Sequence, residues 1–354
     1  MGIFTGKCIV ITGGTGSLGN VLTRRLLSGE QGIPRKIIIF SRDEAKQHFM
    51  RLAYQKKKRV TDEVIYSNFM QILEFRIGDV RDYHSVCWAI NEADIVINAA
   101  ALKQVPSCEY FPFEAVKTNV AGAENIVRAI RENRLNIEAV VGVSTDKACK
   151  PINVMGMTKA LQERIFISAN ITLPTTRFIC VRYGNVLASR GSVIPLFHEQ
   201  ISNGGPVTIT TDKMTRFLLT LNRAVDTIFA ALKKARPGEI FVPKAPASKI
   251  VDVAKVLIDN RDIELVFTGI RPGEKVHEIM VSEEEAWRTL ERGSYYAIQP
   301  LLPELVDEYP GKAALKKAYS SGDKLLTLDE TRELLERHEL LVNGAHIEEG
   351  EMLR

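Results

Sequence analysis

The chain has 354 residues, 45% hydrophobic and 25% charged, and its 47 basic against 43 acidic side chains leave a formal net charge of +4. This length suits one large α/β domain or two lobes, the apolar fraction supplies a full core, and the near-parity of charge names no partner. The longest apolar stretches, near Ile9–Ile11, Ile37–Phe40 and Ile95–Leu102, fall far short of the roughly 20 residues that span a bilayer.

In chain order, Lys7–Thr12 is expected as a strand and Ser17–Ser28 as a helix with Leu18, Val21, Leu22, Leu26 and Leu27 on one broad stripe. Further strands are expected at Arg35–Phe40, Ile72–Ile77, Asp94–Asn98, Glu138–Ser144 and Phe178–Tyr183. Helices are expected at about Glu44–Tyr54, Tyr83–Glu92, Pro112–Glu132 and Val154–Ala169. Continuously apolar strands separated by helices point to an α/β fold, a doubly wound parallel sheet covered on both faces. After Tyr183-Gly184-Asn185 the rhythm changes, with glycine- and proline-containing joints at Asn203–Pro206, Arg236–Gly238 and Arg271–Gly273. A smaller α+β lobe is expected over 186–313, with allowance for segments that return to the first domain. A charged, partly helical surface appendage is expected over 314–354.

The first residues lack the succession of a signal peptide. Five scattered cysteines without Cys-x-x-Cys argue against a disulfide framework or zinc site, and a cytoplasmic setting is expected. The basic run Lys56-Lys57-Lys58-Arg59 lacks interleaved aromatics and is expected to be a solvated face rather than a nucleic-acid patch.

Thr12-Gly13-Gly14-Thr15-Gly16-Ser17-Leu18-Gly19 follows the first strand and opens the first helix. Gly13, Gly16 and Gly19 permit a tight turn, close approach to a pyrophosphate and close helix–strand packing. The helix start at Ser17 and Leu18 then offers N–H donors to phosphate. Residues 1–185 are therefore expected to be a dinucleotide-binding Rossmann domain. The second strand ends in Ser41-Arg42 rather than in an acidic residue, a hydroxyl and guanidinium that suit a 2′-phosphate, so NADP is expected over NAD, with Asp43 as the residue that would favour NAD. Asp79 and Val80 are placed to meet the adenine, or Asp79 to cap the next helix.

The fifth strand ends in Ser144-Thr145-Asp146-Lys147, and Lys159 follows in a helical segment. In a short-chain dehydrogenase/reductase that helix carries Tyr-x-x-x-Lys, yet the tyrosine position is Met155, which exchanges no proton. Ser144-Thr145-Asp146-Lys147-Ala148 with Pro151-Ile152-Asn153 resembles the soluble UDP-N-acetylglucosamine 4,6-dehydratases, a polysaccharide-biosynthesis branch of the extended short-chain dehydrogenase/reductase family, in which Met at this position is a known variation. Further marks are Ala99-Ala100-Ala101-Leu102-Lys103-Gln104-Val105-Pro106, Lys117-Thr118-Asn119, Val181–Val186, Ser189–Val193, Met214–Phe217, Ile240–Lys244 and Arg271–Glu278. The last two resemble the C5-inverting branch.

The resemblance implies a UDP-sugar lobe over 186–313 and a cytoplasmic homo-oligomer. It also implies dehydration of UDP-N-acetylglucosamine to UDP-2-acetamido-2,6-dideoxy-β-L-arabino-hex-4-ulose, without metal. Lys147 is implied as C5 base and reprotonating acid and Asp146 as the acid toward the C6 hydroxyl. Thr145 and Lys159 would serve the 4-oxygen. A neutral Lys147 would need a lowered pKa, through desolvation or a nearby cation such as Lys159. Ala99, Ala100 and Ala101 would line the cofactor, and Lys103 and Asn185 the sugar. Asn119 would prop the active site, and Arg216, Arg271 and Glu274 would meet the UDP. His277 is expected to pack or position substrate. A C5-retaining dehydratase, a UDP-sugar epimerase and a catalytically silent NADP-binding regulator are the competing expectations.

Overall fold

In this computed structural model residues 2–56, 71–187, 192–306 and 311–342 are described. The basic positions Lys57, Lys58 and Arg59 and the motif residues Ser189, Arg190 and Gly191 lie outside them.

Because successive strand side chains point to opposite faces, a strand apolar at every position must be covered on both sides. β1 (Cys8–Thr12) obeys this, with all five residues buried. Ile9 and Ile11 enter one core with α1 (Ser17–Leu27), while Cys8 and Val10 enter another. β2 (Lys36–Ser41) repeats the pattern, followed by α2 (Glu44–Lys56), β3 (Leu73–Ile77), α3 (Tyr83–Ile90) and β4 (Ile95–Asn98). Ile9 pairs in parallel with both Ile37 and Ile95. Fully burying each such side chain is worth about 1.5–3 kcal/mol.

The segment expected as one helix over Pro112–Glu132 is broken. α4 (Val105–Tyr110) and α5 (Pro112–Ala115) lead into a π-helical turn at Val116–Ala121, and only then does α6 (Gly122–Asn133) run regularly. The wider turn carries Asn119, which is fully buried. β5 (Ala139–Thr145), a 3₁₀ turn at Asp146–Ala148, α7 (Val154–Thr172) and β6 (Arg177–Tyr183) complete the first half.

The second half does not stay apart. α8 (Val193–Ser202), β7 (Val207–Ile209) and β8 (Thr215–Phe217) belong to a smaller lobe. α9 (Leu221–Lys234) then returns to the first core beside α1, and β9 (Ile240–Pro243) pairs in parallel with β6. β10 (Ala247–Lys249), α10 (Ile250–Ile258), β11 (Leu265–Phe267) and β12 (Ile279–Val281) rebuild the lobe, with β10 against β8 and β11 against β7. After α11 (Glu283–Ala286), β13 (Thr289–Glu291) and β14 (Tyr295–Ile298) run antiparallel at the sheet edge. The full order is β13-β14-β9-β6-β5-β4-β1-β2-β3. Chain direction across the sheet reverses between β1 and β4, the crevice where doubly wound sheets bind ligands.

The described part of the segment expected as a surface appendage is built into the small lobe. β15 (Tyr319–Ser320) pairs with β12, and α12 (Leu328–Arg337) packs on α10. Leu335 is 0% exposed and shares a core with Val253 and Leu257. Its charged composition misled because α12 buries only a narrow stripe. Leu335→Ala should lower stability by about 2–5 kcal/mol, seen as a lower urea midpoint.

Candidate active site

The turn after β1 is shaped by contacts that only glycine permits. Gly13 has φ +66°, and a Cβ there would lie 2.7 Å from the Ala100 Cα. A Cβ on Gly19 would lie 2.2 Å from the Gly14 carbonyl oxygen, so α1 packs closely on the turn. Gly16 begins α1 without any side-chain cap, which leaves the first N–H groups, including those of Ser17 and Leu18, aimed outward. The neighbouring loop is tied in: the amide of Ala99 donates to the Thr12 carbonyl (3.2 Å) and that of Ala100 to Thr12 Oγ1 (3.2 Å), and Ala101 is exposed beside them.

At the end of β2, Thr15 donates to Ser41 Oγ (3.3 Å), and the Arg42 guanidinium extends outward, 3.9 Å from Asp79. Asp43 is engaged elsewhere: its carboxylate accepts the Lys46 amide (2.9 Å) and caps α2. The cap on α3 is Asp82, not Asp79. Asp79 instead accepts from the Arg81 amide and guanidinium. Burial would raise the Asp79 carboxyl, but these hydrogen bonds outweigh it and hold it below the usual range. Val80 is buried against Gly122.

At the end of β5 the 3₁₀ turn gathers titratable groups. Thr145 caps it by accepting the Lys147 amide (3.4 Å), and its hydroxyl donates to Asp146 Oδ1 (3.0 Å). Lys147 Nζ lies 3.1 Å from Asp146 Oδ1 and 3.2 Å from Glu278 Oε1. Asp146 is 0% and Glu278 2% exposed, while the Lys147 side chain keeps 21% of its surface in solvent. Among the described residues, Asp146 Oδ2, Glu278 Oε2 and Asn185 Oδ1 are buried acceptors without a hydrogen-bond partner. Unsatisfied buried acceptors are costly, and donors such as sugar hydroxyls would satisfy them.

The expectation of a lowered Lys147 pKa is overturned. Desolvation pulls it down, but the charges of Asp146 and Glu278 outweigh that and raise it. The cations bearing on it are Arg216 and Lys275. Lys159 itself is buried, its Nζ donating to Gln162 Oε1 (2.6 Å), and desolvation brings its pKa down to about 8. The lysine poised near neutrality is therefore Lys159.

Met155 lies one turn before Lys159 and is buried with Cys108 and Ala115, so its place is filled by apolar packing. Asn119 accepts the Leu102 amide (2.9 Å) and donates to the Leu102 carbonyl (3.0 Å) and to Thr158 Oγ1 (2.9 Å), joining the loop after β4 to α7. Lys103 is exposed on that loop.

Of the residues expected to meet UDP, Arg216 is turned inward. It is 7% exposed, donating from Nη1 to the carbonyls of Thr215 (2.7 Å) and Val276 (3.2 Å), with Nε 3.8 Å from Glu278. A guanidinium so engaged braces the 276–278 segment. Arg271 is exposed, and Glu274 accepts from Thr210 Oγ1 (3.4 Å) beside an open cleft of about 410 Å³ lined by Thr210, Thr211, Asp212, Phe267, Gly269 and Ile270. His277 Nδ1 pairs with Thr215 Oγ1 (2.8 Å), a packing arrangement.

Sequence reasoning left two neighbours of Lys147 without a role. Glu278 stood in a quoted motif, but nothing in its spacing signalled burial against Lys147. Gly156 is required by contact, since a Cβ there would lie 2.2 Å from the Lys147 carbonyl oxygen. Gly156→Ala should displace the 3₁₀ turn and cut turnover at least tenfold, a loss measurable in steady-state assays.

Residues 9–300 match the model of the polysaccharide biosynthesis protein family. The chain belongs to that family. A relative from Rickettsia conorii named UDP-glucose 4-epimerase is 46% identical over 345 residues, covering 94% of this chain and 96% of the relative. The X-ray structure of Pen from Bacillus thuringiensis superposes with a TM-score of 0.83 at 33% identity, over 96% of this chain and 99% of that one. A more distant likeness, at TM-score 0.63 and 19% identity over 76% of this chain and 86% of the other, is to DesIV, a dTDP-glucose 4,6-dehydratase from Streptomyces venezuelae with NAD and TYD bound. The last shows the fold alone, a Rossmann-type sheet with flanking helices. This family member is thus an enzyme of the nucleotide-sugar short-chain dehydrogenase/reductase class. Among its described residues no helix is long and apolar enough to cross a membrane.

Proposed function

We propose that the protein is a nicotinamide-dependent UDP-N-acetylglucosamine 4,6-dehydratase that inverts C5. The observation that carries this reading is the Asp146–Lys147 pair at the end of β5, beside a helix whose tyrosine position is a buried methionine. An epimerase exchanges protons only at the 4-oxygen, whereas dehydration across C5–C6 also needs a base at C5 and an acid at C6.

The cofactor cradle fits a dinucleotide: Gly13 at φ +66° and Gly19 against the Gly14 backbone keep the turn after β1 tight, and α1 begins uncapped. Gly13, Thr15, Gly16, Ser17, Leu18 and Gly19 would hold the phosphates, Asp79 and Val80 the adenine, and Ala99–Ala101 the far end. When bound, the nicotinamide supplies a hydride acceptor at C4 and returns the hydride at C6. DesIV carries NAD, but here Ser41 and Arg42 occupy the selecting position and Asp43 is engaged in capping, which supports NADP. Arg42→Ala should raise the Kd for NADP about tenfold and leave that for NAD unchanged, measured by titration of protein fluorescence.

Lys159, poised near pH 8, takes the 4-hydroxyl proton, with Thr145 donating to the 4-oxygen. Lys147 rests as an ammonium against Asp146. When substrate excludes water, passing one proton along their contact yields a neutral amine and a protonated carboxyl together. Lys147 then takes the C5 proton as Asp146 gives its own to the departing C6 hydroxyl, which leaves as water. With C5 planar the ring turns over so that Lys147 returns a proton to its opposite face, which inverts C5, and the proton held by Lys159 passes on to restore the resting charge of Lys147. Lys103 and Asn185 would meet the sugar, and Glu274 and Arg271 the UDP end.

The second reading, UDP-glucose 4-epimerase, is favoured by the name of the Rickettsia relatives. Product analysis by mass spectrometry separates the two. Dehydration removes one water from UDP-N-acetylglucosamine, whereas epimerisation of UDP-glucose leaves the mass unchanged. A protein that interconverts UDP-glucose and UDP-galactose and leaves UDP-N-acetylglucosamine intact refutes the dehydratase reading.

A further inference from the structure

Glu278 lies one residue before β12, in the second lobe, and is held from both sides. Its amide donates to Ser321 Oγ (3.0 Å), and its carbonyl accepts the Ser321 amide (2.8 Å). Ser321 Oγ is in turn paired with Thr215 Oγ1 (2.7 Å), next to the Arg216 that braces the same segment. Lys275 fastens the segment to the catalytic turn by donating to the Cys149 carbonyl (2.7 Å). The carboxylate therefore reaches Lys147 on a fixed frame. A lysine with four rotatable carbons has no fixed place of its own. Paired with Asp146 alone, it would fold onto its sequence neighbour and cover the acid.

We propose that Glu278 is a positioning residue for Lys147, its carboxylate holding the ammonium from the second lobe, opposite Asp146, and fixing where Lys147 exchanges protons. Its part in turnover rests on the dehydratase reading, whereas the pairing rests on geometry. The charged groups facing Lys147 are Asp146 from its own turn, Glu278 and Lys275 from the segment before β12, and Arg216 from β8. Asp146 and Glu278 favour the ammonium, and Arg216 opposes it. Removing Glu278 and removing Arg216 should therefore act in opposite directions, a result that general loosening of the site would not give.

The test uses full-length protein labelled with 13Cε-lysine, without substrate. The Lys147 signal is identified by its absence from Lys147→Arg, and its midpoint is followed against pH. Glu278→Gln keeps the shape and removes the charge, and the midpoint should fall by about one unit or more. Arg216→Gln should raise it. Glu278→Asp should recover part of the shift. Activity supplies a second readout: in Glu278→Gln, the limb of the kcat profile governed by Lys147 moves to lower pH. A midpoint that is unchanged or raised in folded Glu278→Gln overturns the proposal, as does a fall in Arg216→Gln. Should Glu278→Gln not fold, Glu278→Asp decides: its shorter side chain draws the carboxylate back from the ammonium and should lower the midpoint, and an unchanged or raised midpoint there overturns the proposal. Since the titration needs no turnover, wild-type protein that fails to dehydrate UDP-N-acetylglucosamine would refute the dehydratase reading without touching this result.

Discussion

Lys147→Ala should lower kcat for UDP-N-acetylglucosamine about 10²–10⁴-fold with little change in KM. The amine has two carboxylates within 3.2 Å and part of its surface in solvent, so it combines a proton supply with access. Truncation removes the proposed C5 base and also strands Asp146 and Glu278, both buried, without their common cation. Lys147→Arg keeps that charge but not a group that gives up its proton, so it should fold like the wild type and remain inactive. Undiminished turnover in either variant would remove Lys147 from the chemistry.

Arg182→Met should cost about 3–5 kcal/mol of stability, read from urea unfolding. Arg182 is 2% exposed and forms paired hydrogen bonds with Glu163 (3.0 and 2.7 Å) and Glu285 (2.7 and 3.0 Å), with a further bond to the Met280 carbonyl (2.9 Å). Losing it leaves buried Glu163 without its guanidinium and Glu285 with only Arg288, 3.7 Å away, and replacing Arg182, Glu163 and Glu285 by apolar residues of similar volume should recover much of the loss. Burial would raise the Glu285 carboxyl, but the Arg182 charge outweighs it and lowers it from 4.5 to about 2. A carboxyl lowered on folding contributes stability above its unfolded value, lost as pH falls through its folded value. The wild type should thus lose this contribution between about pH 4.5 and 2, and acid unfolding of Arg182→Met should begin at higher pH. The network also bears on the site: Ser144, two residues before Asp146, donates to Glu163 Oε1 (2.6 Å). An unchanged urea midpoint would show that it contributes no stability.

The parallel sheet was legible in the sequence because β1, β2, β4 and β5 carry apolar residues at nearly every position, and the glycine turn because its spacing matches a backbone need. The π-helical turn at Val116–Ala121 was not legible, since one extra residue per turn barely alters a helical pattern and the inward aim of Asn119 depends on partners far along the chain. A return of segments to the main sheet was allowed for, but that β9 and β14 are the ones that return was not legible: short apolar runs carry no mark of which sheet they join. At the site, Asp146 and Lys147 stood out as neighbours. Glu278, 2% exposed and against Lys147, looked in sequence like any acidic residue before a strand. The charge state expected of Lys147 therefore went the wrong way. A lysine pKa is set by what tertiary structure brings to it, here two carboxylates, one guanidinium and a second ammonium.

The most direct test of the central claim is to follow UDP-N-acetylglucosamine with the protein in deuterated water by proton NMR. The dehydratase reading predicts a new methyl signal at C6, deuterium at C5, and ring couplings that report inversion there. Unchanged ring signals for this sugar, with or without added NADP, alongside interconversion of UDP-glucose and UDP-galactose without deuterium uptake at C5, would contradict it.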